Sequence, residues 1–180
     1  MLKITVPAAE FWDEIHEEFV YKKEQTLQLE HSLVSLSKWE SKWNKAFLGK
    51  QEKTDEEILD YVRCMTLTQN VDPEVYTRLS AANYLEINAY IEAPMTATYF
   101  SEDKQAKGNR EVVTSELIYY WMISYNIPVE FQKWHLNRLL TLIRVCNIKN
   151  SPPKKRSKRE LMRRNAALNA ARRSRLGSKG

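Results

Sequence analysis

Glycine is scarce in this chain, with four glycines among 180 residues. So little glycine is unusual for an all-β or loop-rich protein. It also leaves no glycine-rich loop that could cradle a nucleotide phosphate, and no GxSxG, P-loop or GxGxxG motif occurs in the sequence. The sequence therefore lacks the usual signatures of nucleotide-binding proteins and serine hydrolases.

Cysteine is rarer still, since Cys64 and Cys146 are the only two, and both lie within helical patterns. Two such residues do not make a disulfide framework, so a reducing, intracellular environment is expected. The sequence shows no secretory leader, no lipidation box and no apolar run of about 20 residues. We therefore predict no membrane association.

Converging ligands for a metal ion are also missing from the sequence pattern. No CxxC, HxxxH or HExxH spacing occurs among the residues that could bind a metal ion. These candidate ligands are His16, His31, His135, Cys64 and Cys146. His135 and Cys146 share a predicted helix face, but 11 residues of helix separate them by about 16 Å. Glu14, Glu17 and Glu18 are best interpreted as a solvated acidic face, because no orienting base accompanies them. The sequence thus predicts no metal site, no cofactor and no catalytic residues.

The two signs of charge are distributed unevenly, although the net charge is only +5. Residues 150–180 carry 11 Lys and Arg residues and one acid, a net charge of +10, which leaves residues 1–149 with a net charge of −5. Asn150, Ser151, Pro152 and Pro153 mark a boundary between these parts. We therefore predict an acidic globular domain over residues 1–149 and a basic tail over residues 150–180.

A small β element is predicted within residues 1–31. Leu2, Ile4 and Val6 alternate with polar residues, and alternation returns after Phe19. Residues 8–18 are predicted to form an irregular loop or a single turn. Residues 95–100 are predicted to be extended and to pair with the N-terminal strands.

Helical spacing begins near Ser32, and four sites resemble helix termini. Gly49 resembles a left-handed C-cap after an apolar stripe that includes Leu33, Leu36, Trp39, Trp43 and Phe47. The predicted helix starts are the Thr54 and Glu57 capping box, Asp72 before Pro73, and Ser80. Tyr84, Ile87 and Ile91 are the expected buried face of the helix after Ser80.

An aromatic-rich helical hairpin over residues 112–148 is the predicted core. Its first helix is apolar on nearly every side and should be enclosed by other elements. Pro128 is predicted to open the second helix. The expected buried stripe of that helix is Phe131, His135, Leu139, Leu142 and Cys146. The fold class is therefore mainly α, with the small N-terminal β element and a basic C-terminal helical or disordered tail.

The high positive charge of the basic tail favours binding of a negatively charged partner by this segment. Ser157 and Glu160 match a capping box that opens a helix to about Leu176, whose apolar residues lie on all sides. The tail could neutralise phosphates of a nucleic acid without reading its sequence, or it could solubilise the chain. A third interpretation is head-to-tail contact with the acidic body of another copy. The candidate partner-binding residues are Lys154, Lys155, Arg156, Lys158, Arg159, Arg163, Arg164, Arg172, Arg173 and Arg175.

Several blocks of sequence together resemble the tail assembly chaperones of long, non-contractile-tailed bacteriophages. They are LEHSLVSLSKWES at 29–41, KT and EE at 53–57, MTAT at 95–98, YYWM at 119–122, QKWHLNRLL at 132–140, PPKK at 152–155 and RRNAALN at 163–169. The resemblance covers most of the chain. It implies no catalytic residues.

The resemblance implies a non-enzymatic factor that binds the tape-measure protein, keeps it soluble and helps to recruit tail-tube subunits. It also implies a homo-oligomer in the cytoplasm of the bacterial host, absent from the mature virion. This chain would be the short form of a family that often also has a frameshifted longer form. The alternative function is a nucleic-acid-binding protein or a structural protein of the virion, such as a connector, that uses the basic tail.

Overall fold

The computed structural model describes residues 1–14, 16–100, 112–151 and 158–177. These residues group into two compact units, Met1–Cys146 and Asn147–Gly180. The predicted loop at 101–110, the Pro152 and Pro153 boundary and the Ser157 cap lie outside the described residues. The division at residue 149 therefore stays a prediction.

Helices dominate the described residues, and the predicted mainly α class with a small N-terminal β element is confirmed. Short 3-10 helices span Pro73–Arg78 and Val129–Lys133. The strands are β1 (Leu2–Val6), β2 (Ala9–Asp13), β3 (Glu18–Lys22) and β4 (Gln25–Leu29). The α-helices are α1 (Leu33–Trp43), α2 (Asp55–Met65), α3 (Ala81–Glu92), α4 (Ser115–Ser124), α5 (Leu136–Asn150) and α6 (Lys158–Leu176).

The four strands form one interrupted antiparallel ribbon. Strand β1 pairs with β4, and β2 pairs with β3. In every pair, from Leu2 with Leu29 to Asp13 with Glu18, the two residue numbers add to 31, so the two sheets share one register. The pairing lapses at Pro7, whose nitrogen cannot donate to a ladder. The prediction that residues 8–18 form a loop or single turn was wrong, because β2 occupies Ala9–Asp13 and β3 begins at Glu18. Glu14, Glu17 and Glu18 lie at the turn and the start of β3, not on a helix.

Residues 95–100 contain no strand, and the predicted pairing with the N-terminal strands was wrong. The first strand instead finds its partner within its own ribbon, in β4. The sequence of residues 95–100 reports only a local preference for extended backbone. Whether such a segment pairs with a strand depends on which sheet edge the fold leaves open.

Helix starts were predicted more accurately than helix ends. Ser32 caps α1, Thr54 and Glu57 form the capping box of α2, and Ser80 caps α3, each through its side-chain oxygen. Asp72 caps the first 3-10 helix. The predicted end of α1 at Gly49 was wrong, because α1 ends at Trp43 and the C-cap is Asn44, which takes the left-handed conformation with φ 52°. Asparagine is the residue after glycine that most readily does so.

The apolar core consists of two clusters within the first unit. One cluster joins the β1–β4 sheet to α2, α3 and the first 3-10 helix, and the other joins α4 to α5. Helix α1 serves both, since Trp39 lies in the first cluster and Leu33 and Leu36 lie in the second. The predicted hairpin core is thus only the second cluster, and it is completed by α1.

Two features of the predicted hairpin were wrong. Pro128 opens only a 3-10 helix, and α5 begins at Leu136, where its backbone N–H donates to the carbonyl of His31. Helix α4 is not enclosed, because only Ser115, Ile118 and Met122 are buried. The consequence is an exposed apolar helix face.

Candidate functional site

The predicted basic residues lie on α6 or outside the described residues. Lys154, Lys155 and Arg156 lie outside them, and Lys158 is the first residue of α6. The remaining side chains are all exposed, and they are Arg159, Arg163, Arg164, Arg172, Arg173 and Arg175. At about 100° of rotation per residue these arginines surround the helix and do not form one stripe. The structure therefore presents a helix that is basic on every side.

The segment of ribbon formed by β2 and β3, hereafter the arm, carries a cluster of exposed aromatic side chains. Trp12 and Phe19 face each other across the two strands with their ring centroids 4.9 Å apart in an edge arrangement. Phe19 is 66% exposed, and Phe11 and Tyr21 are exposed as well. Large aromatic side chains normally contribute most to cores and interfaces, so their exposure together marks a contact surface.

A groove of about 430 Å³ lies beside the arm. It is lined by Phe11, Trp12 and Val20 from the arm, Lys22 at its base, and Glu74 and Thr77 from the first 3-10 helix. Lys22 forms ion pairs with Asp72 at 3.3 Å and with Glu74 at 2.8 Å. The hydrogen bond with Glu74, followed by that with Asp72, raises the pKa of Lys22, so its charge beside the groove is paired with these two carboxylates.

The arm is strongly acidic. Residues 9–21 contain no Lys or Arg and five acids, namely Glu10, Asp13, Glu14, Glu17 and Glu18. Among the described residues, Glu10, Glu14, Glu17 and Glu18 have exposed side chains. With Lys22 at the end of β3 included, the arm therefore combines exposed aromatic side chains with a net charge of −4 over residues 9–22, a pair of properties that suits a basic partner.

Helix α4 presents a second exposed apolar surface. Ile123 is 75% exposed and Tyr120 is 63% exposed, one helical turn apart on the side away from the buried Ile118 and Met122. Glu116 is the one charged residue of the helix. An uncharged, apolar helix face of this kind suits packing against another apolar helix.

Two buried histidines lie where the two core clusters meet. The rings of His31 and His135 are 5.2 Å apart, and His31 Nδ1 is 2.6 Å from the Tyr61 hydroxyl. His135 Nε2 donates to the Tyr90 carbonyl at 2.9 Å. Burial, assisted by the neighbouring His135, lowers the pKa of His31 to about 4, and burial also lowers the pKa of His135. Burial raises the pKa of Tyr61 well above its ordinary value.

Sequence spacing did not reveal this histidine pair, because the two residues come from different elements. A metal ion would need a third ligand, and no group of three or more His, Cys, Asp or Glu side chains converges in the part of the chain that the structure describes. Cys64 and Cys146 are both free thiols, and burial raises the pKa of Cys64. The pair is best explained as a neutral hydrogen-bonded link between helices.

Three buried carboxylates in α1 and α2 also escaped the sequence interpretation as a group. Glu40 accepts the backbone N–H groups of Phe47 at 2.9 Å and Ser115 at 2.7 Å. Asp60 accepts from Lys42 at 2.5 Å and from the indole of Trp43 at 2.9 Å. Glu57 pairs with Lys45, which lowers the Glu57 pKa. Each carboxylate has partners that account for its burial.

No protein-family model, curated protein or solved structure matches this chain. Among the described residues, no helix is both long enough and apolar enough to cross a bilayer.

Proposed function

We propose that this protein is a non-enzymatic tail assembly chaperone of a bacteriophage with a long, non-contractile tail. It binds the tape-measure protein, keeps that protein soluble and helps to recruit tail-tube subunits. It acts as a homo-oligomer in the cytoplasm of the bacterial host and is absent from the mature virion. The sequence blocks that resemble such chaperones motivate the proposal.

The exposed face of α4 is the observation that supports this function best. A chaperone for a long apolar helix needs an apolar surface that its own fold leaves uncovered. Helix α4 provides one at Tyr120 and Ile123, whereas Ile118 and Met122 hold the same helix on the core. Client helices would pack against Tyr120 and Ile123, and copies bound in series would cover a long client.

Coexpression with its client tests the proposal. The client is the product of a very long helical reading frame expected directly beside the gene for this chain. The double variant Tyr120→Lys with Ile123→Lys should lower the soluble fraction of the client several-fold, because each lysine would have to be desolvated in the contact. Leu85→Lys is the matched control, since Leu85 is a 71% exposed apolar residue on α3.

Two results would contradict the chaperone function. One is equal client solubility with and without the wild-type chain. The other is the discovery of the chain as a stoichiometric component of purified particles by mass spectrometry, which would instead favour a structural role in the virion.

Nucleic-acid binding through α6 is the second candidate function. The exposed arginines of α6 favour it, because each phosphate contact releases counterions. A gel-shift titration tests this: binding should weaken steeply as salt rises, and Arg163→Glu with Arg164→Glu should reduce the salt dependence. Binding that does not change with salt would contradict this function.

A further inference from the structure

The aromatic arm and the basic helix α6 have complementary properties. The arm carries five acids and Lys22, a net charge of −4 over residues 9–22, and α6 carries seven Lys and Arg residues against Glu160, a net charge of +6. Two arms placed together would bring like charges into contact, which disfavours an arm-to-arm dimer. The negative charge of the arm therefore favours a basic helix as the element that binds to it.

The dimensions and chemistry of the two elements also agree. The five-residue strands of the arm span about 17 Å, and the 19 residues of α6 span about 28 Å. One helix can therefore cover the face of the arm that carries Trp12, Phe19 and Tyr21, which alternate along the paired strands. Arginines already stack on aromatic rings elsewhere in this chain, with Arg138 4.0 Å from the ring centre of Trp134 and Arg144 4.1 Å from that of Phe100.

The composition of α6 allows it to dock on an aromatic surface by any side. Its arginines surround the helix, and Met162 and Leu168 are exposed between them. An arginine over Trp12 or Phe19 would gain a cation–π contact and an acidic neighbour together.

We propose that the arm of one copy binds α6 of a second copy, so that copies associate head to tail. The interface is heterologous: each chain offers one arm and one basic helix, and the contact can repeat from copy to copy. This inference concerns self-association and does not depend on the chaperone function or on the α4 surface.

Two charge-reversal variants of the full chain test the proposal. The arm variant is Glu10→Lys with Glu18→Lys, and the helix variant is Arg163→Glu with Arg164→Glu. Nuclease-treated wild-type protein should sediment at two or more times the chain mass of 21.2 kDa in about 0.1 M salt. It should approach the chain mass in about 1 M salt, where the screening length falls to about 3 Å. Each variant alone should sediment as a monomer at either salt concentration.

Mixing the two variants provides the decisive measurement. The helix variant retains an intact arm and the arm variant retains an intact α6, so an equal mixture should form a 1:1 complex of twice the chain mass. An arm-to-arm contact predicts no complex in the mixture, and a contact between α6 and the arm of the same chain predicts monomers in every sample. Either result overturns the proposal, as does a wild-type protein that is monomeric in low salt or loses its association on nuclease treatment.

Matched variants separate the interface from total charge. Glu86→Lys with Glu92→Lys reverses two exposed acids of α3, and Lys50→Glu with Lys133→Glu reverses two exposed bases. Both should leave the association of the wild-type chain unchanged, and loss of association in either would overturn the assignment to the arm and α6.

The aromatic contribution is tested without a change of charge. The double variant Trp12→Thr with Phe19→Thr places residues that favour strands at both positions. It should raise the dissociation constant of self-association at least ten-fold. Unchanged far-ultraviolet circular dichroism checks the fold, and unchanged association would overturn the role of the aromatic surface.

Discussion

Glu40 accepts a hydrogen bond from the backbone N–H of Ser115, a residue 75 positions later in the chain, at 2.7 Å. Ser115 is the first residue of α4, so the carboxylate of α1 satisfies one of the N–H groups that a helix start leaves unpaired. The second oxygen of Glu40 accepts the N–H of Phe47. One buried side chain thus links α1, the segment after α1, and α4.

Truncation of Glu40 should therefore destabilise the fold. Glu40→Ala leaves the backbone N–H groups of Ser115 and Phe47 buried without a partner, at a cost of about 1–3 kcal/mol each. Urea unfolding should show a free energy of unfolding lower by about 2–6 kcal/mol. Glu92→Ala, on the exposed side of α3, should change it by less than about 0.5 kcal/mol. Equal effects of the two substitutions would contradict this role of Glu40.

The buried His31 should make stability depend on pH. Its pKa is about 4 in the folded chain and about 6.5 when unfolded, so the unfolded state binds the proton more tightly. The free energy of unfolding is therefore highest above pH 6.5, where His31 is neutral in both states, and it falls as the pH is lowered towards 4. Between pH 7 and pH 5 it should fall by about 2 kcal/mol.

Urea unfolding at several pH values measures this dependence. His31→Gln removes the titrating group and should flatten the change between pH 7 and pH 5 relative to the wild-type chain. His135, Tyr61, Tyr90 and Glu30 remain in the variant, so the difference between the two curves belongs to His31. Parallel curves would show that His31 does not titrate with unfolding.

Local signals at helix starts were readable because they depend on a few neighbouring residues. The side chains of Thr54 and Glu57 accept each other's backbone N–H groups, and Asp72 accepts the N–H of Glu74, all within one turn. Strand β2 of the arm was missed because Phe11 and Trp12 are adjacent, which breaks the alternation, and because the turn contains no glycine. Glu17 takes the left-handed conformation there, with φ 53°.

Tertiary context decided the features that the sequence could not predict. Helix α4 is apolar on nearly every side, so its sequence does not say which side meets α1 and α5. The contact of His31 with His135 joins residues 104 positions apart. The exposed arginines of α6 follow from its composition, and whether they bind a partner stays a prediction.

The capping box of α2 gives a smaller, local prediction. Thr54→Ala removes the acceptor for the Glu57 N–H and should lower the free energy of unfolding by about 1 kcal/mol. Thr98→Ala removes the same atoms from an exposed threonine and should have no measurable effect. A loss at Thr98 as large as that at Thr54 would refute the capping contribution.

Leu36 and Leu85 test the assignment of the core. Leu36 lies on α1 and is fully buried against the apolar residues of α4 and α5, whereas Leu85 lies on α3 and is mostly exposed. Leu36→Ala should lower the free energy of unfolding by about 2–5 kcal/mol through lost burial and a cavity. Leu85→Ala should change it by less than about 0.5 kcal/mol, and similar losses for both would contradict this core.

Arg78 holds the joint at the base of the arm. Its Nη1 donates to the carbonyl of Pro7 at 2.8 Å and to that of Lys23 at 3.4 Å, on the two sides of the gap in the ribbon. Arg78→Ala should loosen the arm while the buried β1–β4 sheet keeps its packing. A protease that cleaves after glutamate should then cut at Glu14 and Glu17 several-fold faster, because local opening precedes cleavage. Lys50→Ala, at an exposed lysine outside the arm and α6, should leave that rate unchanged. If Arg78→Ala instead accelerated cleavage equally throughout the first unit, Arg78 would be supporting the whole fold and not the joint of the arm.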